Sequence, residues 1–212
     1  VREMYCKVLV CSVVAIAATQ TSADLVNPEV PSWRGDAGTQ YCGWDSFSSA
    51  YNAPNFNDSG DAGGMLFNFA EGAMITGSGN IYNQAGGLEI HVYGYGPVEQ
   101  AVLNVASMGT EMDYAGVSFW VSDGENGQMF SHDTFATNYY EEVPNFGANV
   151  SSSYTWDLSG YNGVITEWAF FVNGTAEHNV LDAVTVDIFS GAVPAPGALA
   201  LLGLACIVQR RR

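Results

Sequence analysis

Between Asp24 and Gln209 the sequence has one basic residue, Arg34, and no lysine. Nucleic-acid binding needs cations to displace the counterions of the phosphate backbone, so that class is excluded. Schiff-base chemistry has no nucleophile in this region. Cys42 is the single cysteine there, because Cys6 and Cys11 stand near the start and Cys206 near the end. No disulfide within the body follows, and its stability has to come from a packed core, with Cys42 as a small buried side chain. No segment sustains a helical period with caps, and no internal repeat or low-complexity linker divides the chain. Also missing are Gly-x-Ser-x-Gly, a Cys-His pairing and His-Glu-x-x-His. His91, His132 and His178 lie far apart without ligand spacing, and His91 falls on the outward face of its strand.

What the body does have is acid. The same region holds 21 Asp and Glu residues against that one arginine, a formal balance of −20. Such a surface suits solubility in salty surroundings or capture of divalent cations. The 24 glycines of the chain punctuate short runs of period-two alternation. Leu88, Ile90 and Val92 share one face of a strand; Val117, Phe119 and Val121 share a face of another, with Trp120 opposite. Met65–Phe69 is a further strand, with residues 73–76 as its hairpin partner, and residues 101–106 form another. Near the C-terminal end, 154–158 is followed by an apolar run from Val164 to Val172, as for a central strand covered on both sides. Val184, Val186 and Ile188 then alternate inward, with Asp182, Thr185 and Asp187 outward. Residues 24–63 read as an extended segment with turns. About nine short strands predict an all-β, antiparallel β-sandwich of jelly-roll type over 24–192.

Candidate sites follow from residue type and spacing. Asn55, Asn57, Ser59 and Asp61 place oxygen side chains at alternate positions, with Gly60 at the bend, as in the first half of a calcium loop. Asn55 stands where such loops open with Asp, and Leu66 where they close with a bidentate Glu. Calcium is the one cofactor for which the sequence offers ligands, and no organic cofactor is called for. Asp123–Gly127 reads as a hairpin turn. Glu141-Glu142, after Tyr139-Tyr140, is the most suggestive acid pair, on what reads as a solvated loop. Trp44, Trp156 and Trp168 are expected in the core, and Trp120 is the candidate for stacking on a sugar.

Both ends carry address-like patterns. Arg2 and Lys7 precede an apolar stretch from Val8 to Ala18, and Thr21-Ser22-Ala23 offers small residues for cleavage after Ala23. That is the layout of a secretory signal peptide over 1–23. At the other end stands Val193-Pro194-Ala195-Pro196, then an uncharged run from Gly197 to Val208, then Arg210, Arg211 and Arg212. As a helix the run covers roughly 18–20 Å, short of the ~30 Å hydrocarbon core, so it suits a temporary stop better than a permanent anchor.

This tail resembles the PEP-CTERM sorting signal of Gram-negative bacteria, with Ala195 in place of the family's Glu. The resemblance covers 193–212 only. It implies recognition by an exosortase-like membrane protease, export across the inner membrane with transient anchoring by the tail helix, and delivery to the cell surface or extracellular polysaccharide matrix. The Trp156-Asp157-Leu158 strand, the long apolar strand and the Leu-Asp-x-Val-Thr-Val-Asp strand are similar in pattern to the end of bacterial jelly-roll modules, carbohydrate-binding ones among them. The expectation is a secreted, non-enzymatic protein that binds polysaccharide. The alternatives are a hydrolase of matrix polysaccharide using an acid pair, and a calcium-dependent adhesive module.

Overall fold

A computed structural model describes residues 25–191. The expected signal peptide with Ala23, and the tail with Val193, Pro194, Pro196, Arg210, Arg211 and Arg212, lie outside the described residues. Within them the chain forms fourteen strands: β1 (Thr39–Trp44), β2 (Asn55–Phe56), β3 (Ser59–Gly60), β4 (Met65–Asn68), β5 (Met74–Ile75), β6 (Ile81–Asn83), β7 (Glu89–Tyr95), β8 (Gln100–Gly109), β9 (Ser118–Ser122), β10 (Gly127–Ser131), β11 (Thr134–Val143), β12 (Gly147–Asp157), β13 (Glu167–Asn173) and β14 (Asn179–Phe189). The helical element among the described residues is one 3-10 turn, Tyr114–Gly116. No helix among them is long and apolar enough to cross a membrane.

The strands make two antiparallel sheets. The larger runs β11-β12-β8-β14-β1-β3, with β6 pairing β14 and β5 pairing β6; the smaller runs β10-β9-β13-β7-β4-β2. One continuous core joins them. Leu66, Ile90, Val92, Phe119, Val121, Trp168 and Phe170 from the smaller sheet meet Leu103, Val105, Tyr154, Trp156, Val184, Val186 and Ile188 from the larger. The arrangement is sandwich-like and all-β. Trp44, Trp156 and Trp168 are all inside it, each at most 2% exposed. Trp168 lies across Gly94 of the neighbouring strand, where any Cβ would collide with its ring.

Several elements differ from the sequence reading for identifiable reasons. Thr39–Trp44 is a strand of the larger sheet, paired along β14, because Cys42 and Trp44 alternate into the core. Only two apolar residues mark it, too few for a periodic signal. Residues 74–75 do not pair with β4. They hairpin onto β6 through a turn closed by Thr76 N to the Asn80 carbonyl (2.9 Å), and join the other sheet. The run from Val164 enters its strand only at Glu167; Val164 itself is 69% exposed. Glu141 and Glu142 sit on β11, a ten-residue edge strand, not on a loop. A bulge between Thr137 and Tyr139 interrupts that edge, a common device against edge-to-edge pairing.

The largest correction concerns Asp182 and Asp187. Both point away from the core, yet they are 3% and 0% exposed. Asp182 lies under Asn80, whose Nδ2 donates to the aspartate's Oδ1 at 2.5 Å, while around Asp187 the outer face of the larger sheet is covered by the chain's own segment 29–34. The Asn104 side chain accepts from Glu29 N (2.8 Å) and donates to the Glu29 carbonyl (3.1 Å), treating the segment as an added strand. Trp33 stacks on Phe189 at 5.7 Å. Arg34 grips Asp187 with two bonds of 2.5 Å, Nε to Oδ1 and Nη2 to Oδ2, while its guanidinium lies 4.5 Å above the Tyr41 ring. The body's single cation is thus a clasp.

Burial pushes the Asp187 carboxyl above its ordinary value, against the pull of Arg34. An acid raised by burial destabilises the fold where it must be ionised, so stability is lost as pH rises from the ordinary value of about 4 through the folded one. Arg34→Met removes the compensating charge. It should lower unfolding free energy by about 3 kcal/mol at pH 7. The deficit should narrow as pH falls toward 4, where Asp187 is neutralised. Denaturant unfolding at the two pH values checks this; a deficit independent of pH would contradict it.

Candidate functional site

Among the described residues no segment crosses the outer face of the smaller sheet in this way. Strand alternation sends every second side chain of β4, β7, β13 and β9 away from the core, and many of those positions are aromatic. Register aligns them in rows across the strands. One row reads Phe56, Met65, Tyr93, Ala169, Trp120, Met129. A second reads Phe67, His91, Phe171, Ser118, Ser131. Phe56, Tyr95 and Met129 are the most open apolar residues of this face, at 69%, 63% and 52% exposed. Trp120 is half-buried, its indole leaning over Gly127 of β10, where the lack of a side chain lets it lie close to the sheet.

The second row is knitted together by its rings. His91 meets Phe171 at 4.5 Å and Phe69 at 4.8 Å, both edge-on. Its Nδ1 lies 3.0 Å from the Tyr93 hydroxyl and its Nε2 lies 3.3 Å from Glu89 Oε1. Burial among the rings lowers the imidazole's pKa, against the pull of Glu89, which favours a neutral ring at pH 7. Beside Phe171 is a hollow of about 780 Å³ edged by Glu89, His91, Ser118, Met129 and Asn173. The face therefore combines apolar ring surfaces with scattered hydroxyl, amide and carboxylate groups.

Trp120 is thus one member of a larger set. Phe56, Phe67, Tyr93 and Phe171 were missed because their significance depends on which strands are neighbours. Their signal was present in part: in β4, β7 and β9 the positions opposite the core residues carry rings where a solvated face would carry polar groups.

The loop with the calcium-like spacing has a different internal logic. Asn55 is 1% exposed. Its Oδ1 accepts from Ser48 N and Ser49 N, both at 2.8 Å, and its Nδ2 donates to the carbonyls of Ser49 (2.9 Å) and Leu66 (3.4 Å). The Asn55 carbonyl accepts from Trp44 Nε1 at 3.0 Å. Asn57 Nδ2 donates to the Ser59 carbonyl (3.0 Å), and Asp61 Oδ1 accepts from Tyr41 N (3.2 Å). Asn55 therefore works as an anchor for β2, and in fixing β2 it sets Phe56 on the open face. Among the described residues no group of three or more His, Cys, Asp and Glu side chains is placed to hold a metal ion.

The acids do not gather into a catalytic pair on the aromatic face. Glu167 stands opposite Tyr95, six residues along from Glu89, on the order of 20 Å away at strand rise. Glycoside hydrolysis brings its carboxyls within about 5–10 Å. Glu141 accepts from the Tyr139 hydroxyl at 2.8 Å on the exposed edge strand. A separate groove of about 710 Å³ runs between segment 29–33 and the ends of β8, β11 and β12, with Asp133 and Asp157 in its wall. Asp133 Oδ2 accepts from Asp157 N (2.7 Å) and Asp157 Oδ1 from Ser159 N (2.9 Å). Ser159 holds the Asp157 carboxyl below its ordinary value, the opposite of a general acid. Asp123–Gly127 is the β9–β10 turn, with Asp123 Oδ1 accepting from Glu125 N and Asn126 N.

No family model matches the sequence, and no curated protein does. Three chains of solved structures match. One is a mutant of xylanase 10C from Cellvibrio japonicus in complex with xylopentaose, 12% identical over 70% of this chain with a TM-score of 0.28. This chain spans 27% of that protein's length. A likeness that slight fixes neither fold nor ligand here.

Replacing Asn55 by Ala would orphan the amides of Ser48 and Ser49. Its expected cost is about 2 kcal/mol, equal in calcium and in chelator, because the role is structural. Thermal melts of the variant under the two conditions test this; a cost that appears only with calcium would make Asn55 a ligand.

Proposed function

We propose that this is a secreted, non-enzymatic protein that binds polysaccharide on the open face of its smaller sheet. The fold reading that accompanies it is a jelly-roll-like sandwich. The observation that carries the proposal is the aromatic face itself, left uncovered among the described residues on a sheet whose counterpart is covered by the protein's own chain. Pyranose rings are apolar on their flat faces and polar at their rims. They suit a surface that offers ring faces with hydroxyl, amide and carboxylate groups at the margin. Favouring binding over hydrolysis is the distance between Glu89 and Glu167, the two carboxylates of that face. A net-negative body also suits a molecule that must stay soluble among extended polymers.

The destination rests on the two terminal patterns. The signal-peptide layout would export the chain, and the PEP-CTERM-like tail would deliver it, through an exosortase-like protease, to the surface or matrix. A polysaccharide matrix is where a polysaccharide-binding face has a ligand, so address and body agree.

Two measurements test this reading. In native gels containing a panel of neutral and acidic polysaccharides, the full chain should be retarded by at least one. Retardation should weaken about tenfold in Trp120→Ala, and no reducing ends should be released. No retardation by any member would end the binding proposal, and release of reducing ends would replace it with the hydrolase. Mass spectrometry of protein recovered from its source should find an N-terminus at Asp24 and a C-terminus near the Pro194–Pro196 segment, in the surface or matrix fraction. Recovery of an intact Arg212 peptide from the inner membrane would overturn the sorting reading.

A further inference from the structure

Resting on that reading, the first aromatic row has a period. Its residues alternate large ring, smaller side chain: Phe56, Met65, Tyr93, Ala169, Trp120, Met129, one from each strand in the order β2-β4-β7-β13-β9-β10. The rings therefore fall on every second strand. Neighbouring strands lie about 4.8 Å apart, so Phe56, Tyr93 and Trp120 recur at roughly 10 Å. That is the length of a disaccharide in an extended β-1,4-linked pyranose chain, in which alternate sugars turn over and every second one presents the same face. An α-linked chain coils and would leave the row after one contact.

The sheet's twist narrows the ligand further. Successive strands rotate by roughly 20–25°, so four steps from Phe56 to Trp120 turn the ring platform by about 80–100°. A flat crystalline surface cannot follow that turn. A single chain, free to twist about its own axis, can. Charge removes another class. Among the described residues this face carries Glu89 and Glu167 and no Lys or Arg, and Arg34 is held by Asp187 on the other sheet. A uronic-acid polymer would meet only repulsion.

We propose that the ligand is a single, extended, neutral β-1,4-linked polysaccharide chain lying across the strands on Phe56, Tyr93 and Trp120. The hollow beside Phe171 flanks this track and offers Glu89, Ser118 and Asn173 to sugar hydroxyls.

The test uses the full chain in native gels containing soluble β-1,4-glucan, soluble β-1,4-mannan, an α-glucan or alginate, together with a pull-down on crystalline cellulose. Retardation by a soluble β-1,4 polymer is expected, with little on the α-glucan, alginate or the crystal. Phe56→Ala, Tyr93→Ala and Trp120→Ala should each weaken it about tenfold. Tyr140→Ala, which removes an exposed ring on the other sheet, should leave it unchanged. Circular dichroism verifies the fold of each variant. Retardation only by α-glucan or alginate, or binding only to the crystal, would overturn this inference while leaving polysaccharide binding in place. Failure to bind any glycan would remove both. A dimer in light scattering that Trp120→Ala dissolves would assign the face to a second copy of the chain and overturn it as well.

Discussion

The grip of Arg34 on Asp187 sets the character of this molecule. A two-sheet sandwich has two outer faces, and each must be solvated, covered or put to use. One face here has Asn104, Asp187, Val102 and Ser153 at its centre, all buried. A carboxylate at such a depth is costly unless it is paired and fully bonded, and Arg34 supplies both bonds in a planar fork. The same arginine pulls segment 29–34 across the sheet, where Asn104 receives its backbone. With its single cation spent there, the body has no positive charge to place elsewhere, and the other outer face is left to rings and acids.

That asymmetry explains why one face is a candidate site and the other is not. Rings on the smaller sheet are positioned by ordinary core forces acting from below. Leu66, Ile90, Val92, Phe119, Val121, Phe170 and Val172 fix their strands by burial, and the alternate positions are then obliged to face outward. Even the two-residue β2 is held from beneath, by four hydrogen bonds between the Asn55 side chain and backbone groups and by the Trp44 indole on its carbonyl. Rings held in place by the core in this way would lower the entropy cost of the binding proposed for this face.

β7, β8, β9, β13 and β14 were legible because period two with β-branched and aromatic residues is a local signal; β10, β11 and the first half of β12, where polar residues crowd the record, were not. Nor was β1, since Cys42 and Trp44 are a thin apolar record and their partners on β14, Val186 and Val184, lie 144 and 140 residues away. Residues 74–75 were given the wrong partner because two adjacent extended segments look like a hairpin until a longer-range pairing with β14 claims β6. Asp187 looked exposed because alternation reports direction and not cover; the cover came from a segment 150 residues earlier. Trp120 was legible as a ring on a polar face. Its alignment with Tyr93 and Phe56 was not, because that depends on strand order, which alternation does not encode.

By itself the sequence determined the class of fold, the inward set of the main strands, the extreme acidity of the body and the lack of any lysine between Asp24 and Gln209. These are properties of composition and near-neighbour spacing, fixed by side-chain chemistry and the geometry of an extended backbone. Tertiary structure alone decided which outer face is closed and which is open, made Asn55 an anchor, and brought rings from separate strands into one row. Those outcomes depend on contacts between residues distant in the chain, and the free energy that selects them is that of the whole packed sandwich and of no segment within it.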